Sequence, residues 1–244
     1  MSSPIDALYP EAAIGGYTRA DTTMEFYQRI RSLLAPSSAV LNLGAGRGEW
    51  HCDRPNDPRT KLMDLRGETR TVVGLDVDPA ISANASVDHA VVYSGANFPL
   101  KSESFDFVIS DWVAEHVDNP ENLVEEVRRV LRPGGWFAMR TPNRWGYIGL
   151  GATSIPNRFH VPILRVLQPD RKEIDIFPTR YKMNSWSALA RLFPDEAWNR
   201  VGYAVNGEPA YFGRSALLWR LVQLGFRLTP PGLNAVVLFF AQKK

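Results

Sequence analysis

An internal disulfide is excluded at once, because the 244-residue chain holds a single cysteine, Cys52. One thiol suits a reducing compartment. Long apolar runs are missing as well. The longest, AVVLFFA over 235–241, falls far short of the roughly 20 residues that span a bilayer. The opening residues, MSSPIDALYPEAAIGGY, show no basic patch followed by an apolar block, so no signal peptide is expected and the expected location is the cytoplasm. An excess of either charge is lacking: 28 Lys and Arg against 26 Asp and Glu leave a net charge of +2, too small for a nucleic-acid footprint, so no nucleic-acid partner is expected. Cys52 adjoins His51, but no second pair stands at ligand spacing, so no metal site is expected. The chain also lacks a G-x-x-x-x-G-K-[ST] phosphate loop, a nucleophilic triad, a fixed-period repeat and any low-complexity tract. Nothing in it specifies an oligomeric state.

What is present is an ordinary globular mixture, 45% hydrophobic and 22% charged, able to bury a full core. DTTMEFYQRIRSLLAPSS reads as a helix, with Asp21 as N-cap, Phe26, Ile30, Leu33 and Leu34 in one stripe, and Pro36 as its stop. AVLNLG, TVVGLDVD, HAVVYS, FDFVISD and WFAMRT read as short buried strands. DNPENLVEEVRRVLRPGG is the best-marked helix, capped by Asp118 or Asn119 and closed by Pro133-Gly134-Gly135. RSALLWRLVQLG is an amphipathic helix, followed by FRLT, a Pro-Pro-Gly turn and NAVVLFFAQ. Alternating strands and helices imply an α/β, Rossmann-like, doubly wound and mostly parallel seven-stranded sheet. FRLT and NAVVLFFAQ are expected to form an antiparallel C-terminal hairpin. The resulting division is an N-terminal cap and helix over 1–36, a nucleotide-binding core over 37–144, an insertion over 145–212 where the alternation fails, and a closing helix and hairpin over 213–244, all in one domain.

The segment AVLNLGAGRGEW, 39–50, carries the strongest functional signal. Gly44, Gly46 and Gly48 fall where a strand hands over to a helix, at the edge of the sheet where doubly wound folds bind ligands. Bare backbone there permits a sharp turn and close approach to a ligand, although a tight connection alone would explain it. The next strand ends on Asp76, whose carboxylate can accept hydrogen bonds from both ribose hydroxyls, or simply cap the turn. Together, in this order, the two features point to an adenosine-containing cofactor. The third glycine comes one place too early for the dinucleotide fingerprint, and Glu49 stands where a pyrophosphate would be repelled. A smaller ligand with an amino-acid tail fits better.

In motif order and wording the chain resembles the class I S-adenosylmethionine (SAM)-dependent methyltransferases, especially the ubiquinone-biosynthesis-like group. VLNLGAGRGEW matches their first motif, VVGLDVDP the second, and GANFPLKSESFDFVISDWVAEHVDNPENLVEEVRRVLRPGGWFAMRTPN their long third block. The resemblance covers residues 37 to 143 plus the closing elements. It implies SAM as cofactor, with Gly44, Ala45, Gly46 and Gly48 along its methionine and ribose. Asp76 would hold the ribose hydroxyls, Val77 would lie on the adenine, Ala96 and Asn97 at its edge, and Asp111 and Trp112 beside the sulfonium. Two departures stand out. Asn42 occupies a position where many relatives have Asp, and Ser94-Gly95-Ala96 replaces an acid before the adenine loop. Tyr17 and Arg19 are candidates for the SAM carboxylate, with plain packing as the alternative.

A sulfonium methyl needs alignment with a nucleophile more than it needs activation. His116, which faces the cofactor in relatives, is the first candidate base, and His160 the second; a histidine bonded to backbone is the competing reading for His116. Asp111-Trp112-Val113-Ala114 stands where nitrogen methyltransferases of nucleic acid and protein carry [DN]-P-P-[YF]. A small-molecule or glycan acceptor, methylated at oxygen, is therefore expected. The insertion holds Trp145, Tyr147, Phe159, Phe177, Tyr181, Trp186, Tyr203, Tyr211 and Phe212 with Arg144, Arg158, Arg165, Arg171 and Arg180 among them. They suit either a satellite core or a lid over an acceptor pocket. A non-catalytic SAM-binding protein and a nicotinamide-dependent oxidoreductase remain as alternative readings.

Overall fold

The structure, a computed structural model, describes residues 9–154, 178–209 and 215–244. Its centre is a seven-stranded sheet: β1 Ala39–Leu43, β2 Thr71–Asp76, β3 His89–Val92, β4 Phe105–Asp111, β5 Leu131–Pro142, β6 Trp198–Val205 and β7 Val236–Lys243. The strand order is β3-β2-β1-β4-β5-β7-β6. Neighbours from β3 to β5 pair in parallel, while β7 runs antiparallel to both β5 and β6. The order reverses between β1 and β4. Crossovers leave from opposite sides there, which opens a crevice beyond the strand ends.

Alternation along each strand feeds two cores. Val40, Phe107, Ile109, Leu238 and Phe240 face one side, where helix α1, Thr22–Leu33, buries Phe26, Tyr27 and Ile30. Leu41, Leu43, Val108, Phe137, Val237 and Phe239 face the other side, against Leu123, Val127 and Val130 of α4, Pro120–Val130. The capping readings hold: the Asp21 carboxylate accepts from the Thr23 and Met24 N–H groups, and Asn119, rather than Asp118, caps α4 through Asn122 N–H. Between β1 and β2 lie two short helices, α2 Glu49–Asp53 and α3 Pro58–Met63. After β5 come α5 Tyr147–Ser154 and α6 Trp186–Leu192, and α7 Ala216–Leu228 precedes β7.

The far edge differs from the expectation. FRLT is not a strand: α7 runs through Gly225 to Leu228, and Phe226 packs on Tyr147 with ring centroids 5.2 Å apart. The antiparallel partner of β7 is instead WNRVGYAV, the strand β6, from inside the segment read as an insertion. Trp198 anchors it, fully buried against Phe193 at 5.2 Å, while Asn199 and Val201 are exposed. The helical signal near SWSALARLF corresponds to α6. The PGG end assigned to the long helix belongs to β5, which starts at Leu131.

Candidate active site

The glycine turn after β1 is built by hydrogen bonds from three directions. Gly44 N–H donates to the Leu75 carbonyl at 2.7 Å, and Gly46 N–H donates to Asp76 Oδ2 at 2.8 Å. Asn84 closes the loop from behind, its amide donating to the carbonyls of Ala45 at 3.0 Å and Gly46 at 2.9 Å. Asn84 is itself held by Ser86, whose N–H and hydroxyl both donate to its Oδ1.

All three glycines have positive φ, at +72° for Gly44, +54° for Gly46 and +64° for Gly48, but their surroundings differ. A Cβ on Gly44 would strike the Val113 side chain, and one on Gly48 would strike Asn84. A Cβ on Gly46 would meet nothing within 4 Å. That open space adjoins the half-buried Asp76 carboxylate, whose Oδ1 also accepts from Asp78 N–H at 2.9 Å. A carboxylate offers about four lone-pair sites, so both oxygens can still accept ribose hydroxyls. The Asn42 amide, half-buried at the end of β1, has no side-chain hydrogen bond among the described residues. It remains available to a polar ligand, and the cradle fits an adenosyl amino acid.

The adenine side is more open. Val77 is 56% exposed and borders Gly95, whose φ is +87°. Ala96 and Asn97 are exposed, and the Ala96 carbonyl accepts from the Asn122 amide at 3.0 Å. Behind them Glu126 accepts from Phe98 N–H at 2.6 Å, and Arg129 donates to the Phe98 carbonyl at 3.0 Å. The Arg129 guanidinium beside Glu126 holds its carboxyl below the ordinary value of 4.5. Burial raises the Tyr93 phenol, with the charge on Asp76 adding to it, which puts Tyr93 near the same carboxylate.

Asp111 is engaged in a buried ion pair. Arg140 donates to its Oδ1 at 2.6 Å and Oδ2 at 2.7 Å, and Tyr27 hydroxyl to Oδ2 at 3.3 Å. Arg140 also reaches Thr23 Oγ1 at 2.8 Å, so the pair ties α1 to the ends of β4 and β5. Trp112 follows in the left-handed region, φ +58°, with its indole centroid 5.3 Å from the Arg140 guanidinium carbon. It borders a cavity of about 750 Å³ that is also lined by Thr18, Arg59, Tyr147 and Glu208.

His116 lies one turn further on. Its Nδ1 is 2.9 Å from the Pro178 carbonyl, and its Nε2 is 3.9 Å from the buried Glu115. A carbonyl only accepts, so Nδ1 carries the proton and Nε2 is the basic nitrogen. His116 is not among the cavity-lining residues. Arg19 pairs with Glu11 at 3.2 Å and lies 5.6 Å over the Tyr9 ring, 72% exposed. Tyr17 packs beside Gly15, between cavity-lining Gly16 and Thr18. His160, Phe159, Phe177, Tyr211 and Phe212, with Arg158, Arg165 and Arg171, lie outside the described residues. Among the described residues no group of three or more His, Cys, Asp or Glu is arranged for a metal, and no helix is long and apolar enough to cross a membrane.

Compared with known families, residues 56–139 match the methyltransferase domain. A probable S-adenosylmethionine-dependent methyltransferase of Mycolicibacterium smegmatis is 42% identical over 123 residues, 48% of this chain and 43% of that protein. Over about half its length the chain thus resembles SAM-dependent methyltransferases. A ubiquinone biosynthesis O-methyltransferase of Burkholderia thailandensis is 27% identical over 110 residues, 45% of this chain and 46% of that one. The chain thus spans less than half the length of these curated relatives. Among solved structures, a SAM-dependent methyltransferase of Thermotoga maritima, titled a possible histamine N-methyltransferase, superposes with a TM-score of 0.55. That superposition covers 91% of this chain and 89% of the other at 18% identity, a likeness of fold. The family match begins past the glycine loop.

Two residues central to this geometry escaped the sequence reading. Asn84 gave no signal, being a polar residue in an irregular stretch. Arg140 did give one: a charged residue inside the apolar strand WFAMRT has to find a buried partner.

Proposed function

We propose that the protein binds SAM across the glycine turn and Asp76 and transfers its methyl group to a hydroxyl oxygen of a small molecule or glycan. The observation that carries this reading is the open space at Gly46, beside the hydrogen-bond-accepting Asp76 carboxylate, at the switch point of the sheet. When bound, SAM supplies an already activated methyl group. The chain's own part is alignment and water exclusion, a contribution that can reach roughly 7–11 kcal/mol of a barrier. Asp76, its carboxylate held by Gly46 N–H, would orient the nucleoside. Val113, packed on Gly44, joins the cofactor cradle to Trp112 and the cavity beyond it. His116, with Nδ1 fixed by the Pro178 carbonyl, presents Nε2 as the nitrogen able to take a hydroxyl proton. The oxygen acceptor is supported by the missing [DN]-P-P-[YF] segment and by the similarity to a ubiquinone biosynthesis O-methyltransferase.

The test is turnover. The protein incubated with SAM and a panel of phenols, catechols and sugars should release S-adenosylhomocysteine together with an O-methylated product, identified by mass spectrometry. Calorimetric uptake of SAM with no product from any acceptor would favour a non-catalytic binder. Stabilisation by NAD but not SAM in a thermal-shift comparison would favour an oxidoreductase.

A further inference from the structure

Trp112 pays a conformational penalty that the fold has gone to some length to impose. A bulky aromatic at φ +58° is disfavoured, and such strain persists only where the surroundings over-determine it. Here Arg140 does so twice: its carbonyl accepts from Trp112 N–H at 2.9 Å, and its buried guanidinium sits under the indole at 5.3 Å. The guanidinium is itself immobilised by Asp111, Thr22 and Thr23. The result is a rigid indole, 38% exposed, bordering the 750 Å³ cavity.

Much of the rest of that cavity's lining is polar. Glu208 accepts from Thr18 hydroxyl at 2.5 Å, and Asp57 pairs with Arg59 at 3.1 Å. Arg54 lines the same space with no side-chain partner among the described residues. Pockets for flat apolar ligands have mostly apolar walls with a few polar groups. An exposed indole, with Tyr147 as a second aromatic, in a cavity also lined by carboxylates and guanidinium groups suits a different shape: an apolar C–H face with hydroxyls around its rim. Charged acceptors and donors bind hydroxyls more strongly than neutral ones do.

We infer that this cavity takes a sugar ring as the methyl acceptor, stacked on Trp112 with its hydroxyls directed to Glu208, Asp57 and Arg54. The inference rests on the methyl-transfer reading above and narrows its acceptor. In the step itself a sugar hydroxyl oxygen forms the new bond to the methyl carbon. The methyl–sulfur bond breaks with its electron pair left on sulfur, and the hydroxyl proton passes through water to His116 Nε2, the base proposed above.

The experiment uses the full chain labelled with 5-fluorotryptophan and saturated with S-adenosylhomocysteine. It is titrated with methyl α-D-glucopyranoside, methyl α-D-mannopyranoside, methyl α-L-rhamnopyranoside, D-glucuronate and catechol. One or more sugars should shift the fluorine resonance that Trp112→Phe removes, and catechol should not. In turnover, Trp112→Gly, which relieves the positive φ and so keeps the fold, should raise KM for that sugar by about tenfold or more. Glu208→Gln should also raise it, with SAM affinity unchanged within about twofold. A shift with catechol alone, no shift with any sugar, or an unaltered KM in both variants overturns the sugar assignment. Failure to bind S-adenosylhomocysteine at the outset overturns the methyl-transfer reading instead, so the two failures are distinguishable.

Discussion

Gly46 and Gly48 share a left-handed backbone, yet a side chain at each would meet very different surroundings. At Gly48 it would collide with Asn84, at Gly44 with Val113, and at Gly46 with nothing. Gly46→Ala should therefore cost only the left-handed strain, about 1 kcal/mol, seen as a small drop in Tm. The new methyl group would occupy the space proposed for the cofactor, so SAM affinity should fall by about tenfold or more. A calorimetric Kd equal to that of the native chain would refute the cradle at this residue. His116→Ala should lower kcat with little change in SAM affinity, because Nε2 would act on the acceptor and not on the cofactor. If kcat is unchanged, alignment alone carries the chemistry. At this scale the turn at the glycines and Asp76 was legible because it depends on sequence-local geometry: a strand end, a turn, a second strand end. Asn84 and Thr23 were not, since each acts on a backbone or guanidinium brought to it only by the fold.

Elements are held together by a few buried polar links. The Asp111–Arg140 pair joins α1, β4 and β5, with Arg140 side chain 4% exposed. Removing one partner of a buried pair typically costs about 3–5 kcal/mol, because the other is left uncompensated. Asp111→Ala should show such a loss in urea unfolding, and adding Arg140→Met should recover much of it; equal losses in the single and double variants would deny the coupling. The adenine-side loop hangs on Glu126, through Phe98 N–H and Arg129. Because Arg129 lowers the Glu126 carboxyl, its stabilisation is fully present above pH 4.5, the ordinary value, and is lost as pH falls through the lower folded one. Glu126→Gln should flatten the fall of Tm in that acid range; an unchanged acid limb would contradict this. The same scale explains the misread edge. β6 is one-sided, its Asn199, Arg200 and Gly202 breaking the apolar run, so it carries little periodic signal. Gly225 reads as a helix end, but a mid-helix glycine costs only about 1 kcal/mol, which Phe226 packed on Tyr147 offsets.

For the whole molecule, the sheet order sets the chemistry's location. Reversal between β1 and β4 gathers the glycine turn, Asp76, Asp111 and Trp112 at one rim, although up to 68 residues separate Gly44 from Trp112. Alternating strands and helices sufficed to anticipate that rim, since parallel crossovers have one favoured hand. The acceptor side was less legible, because its cavity is assembled from the N-terminal segment, the α2–α3 connection and residues after β6. Calorimetric titration of SAM into the native chain and into Asp76→Ala, side by side, tests the account most directly. Saturable one-to-one binding by the native chain, weakened about a hundredfold or more in the variant, is the predicted result. Equal affinities, or no heat from the native chain at millimolar SAM, would contradict it.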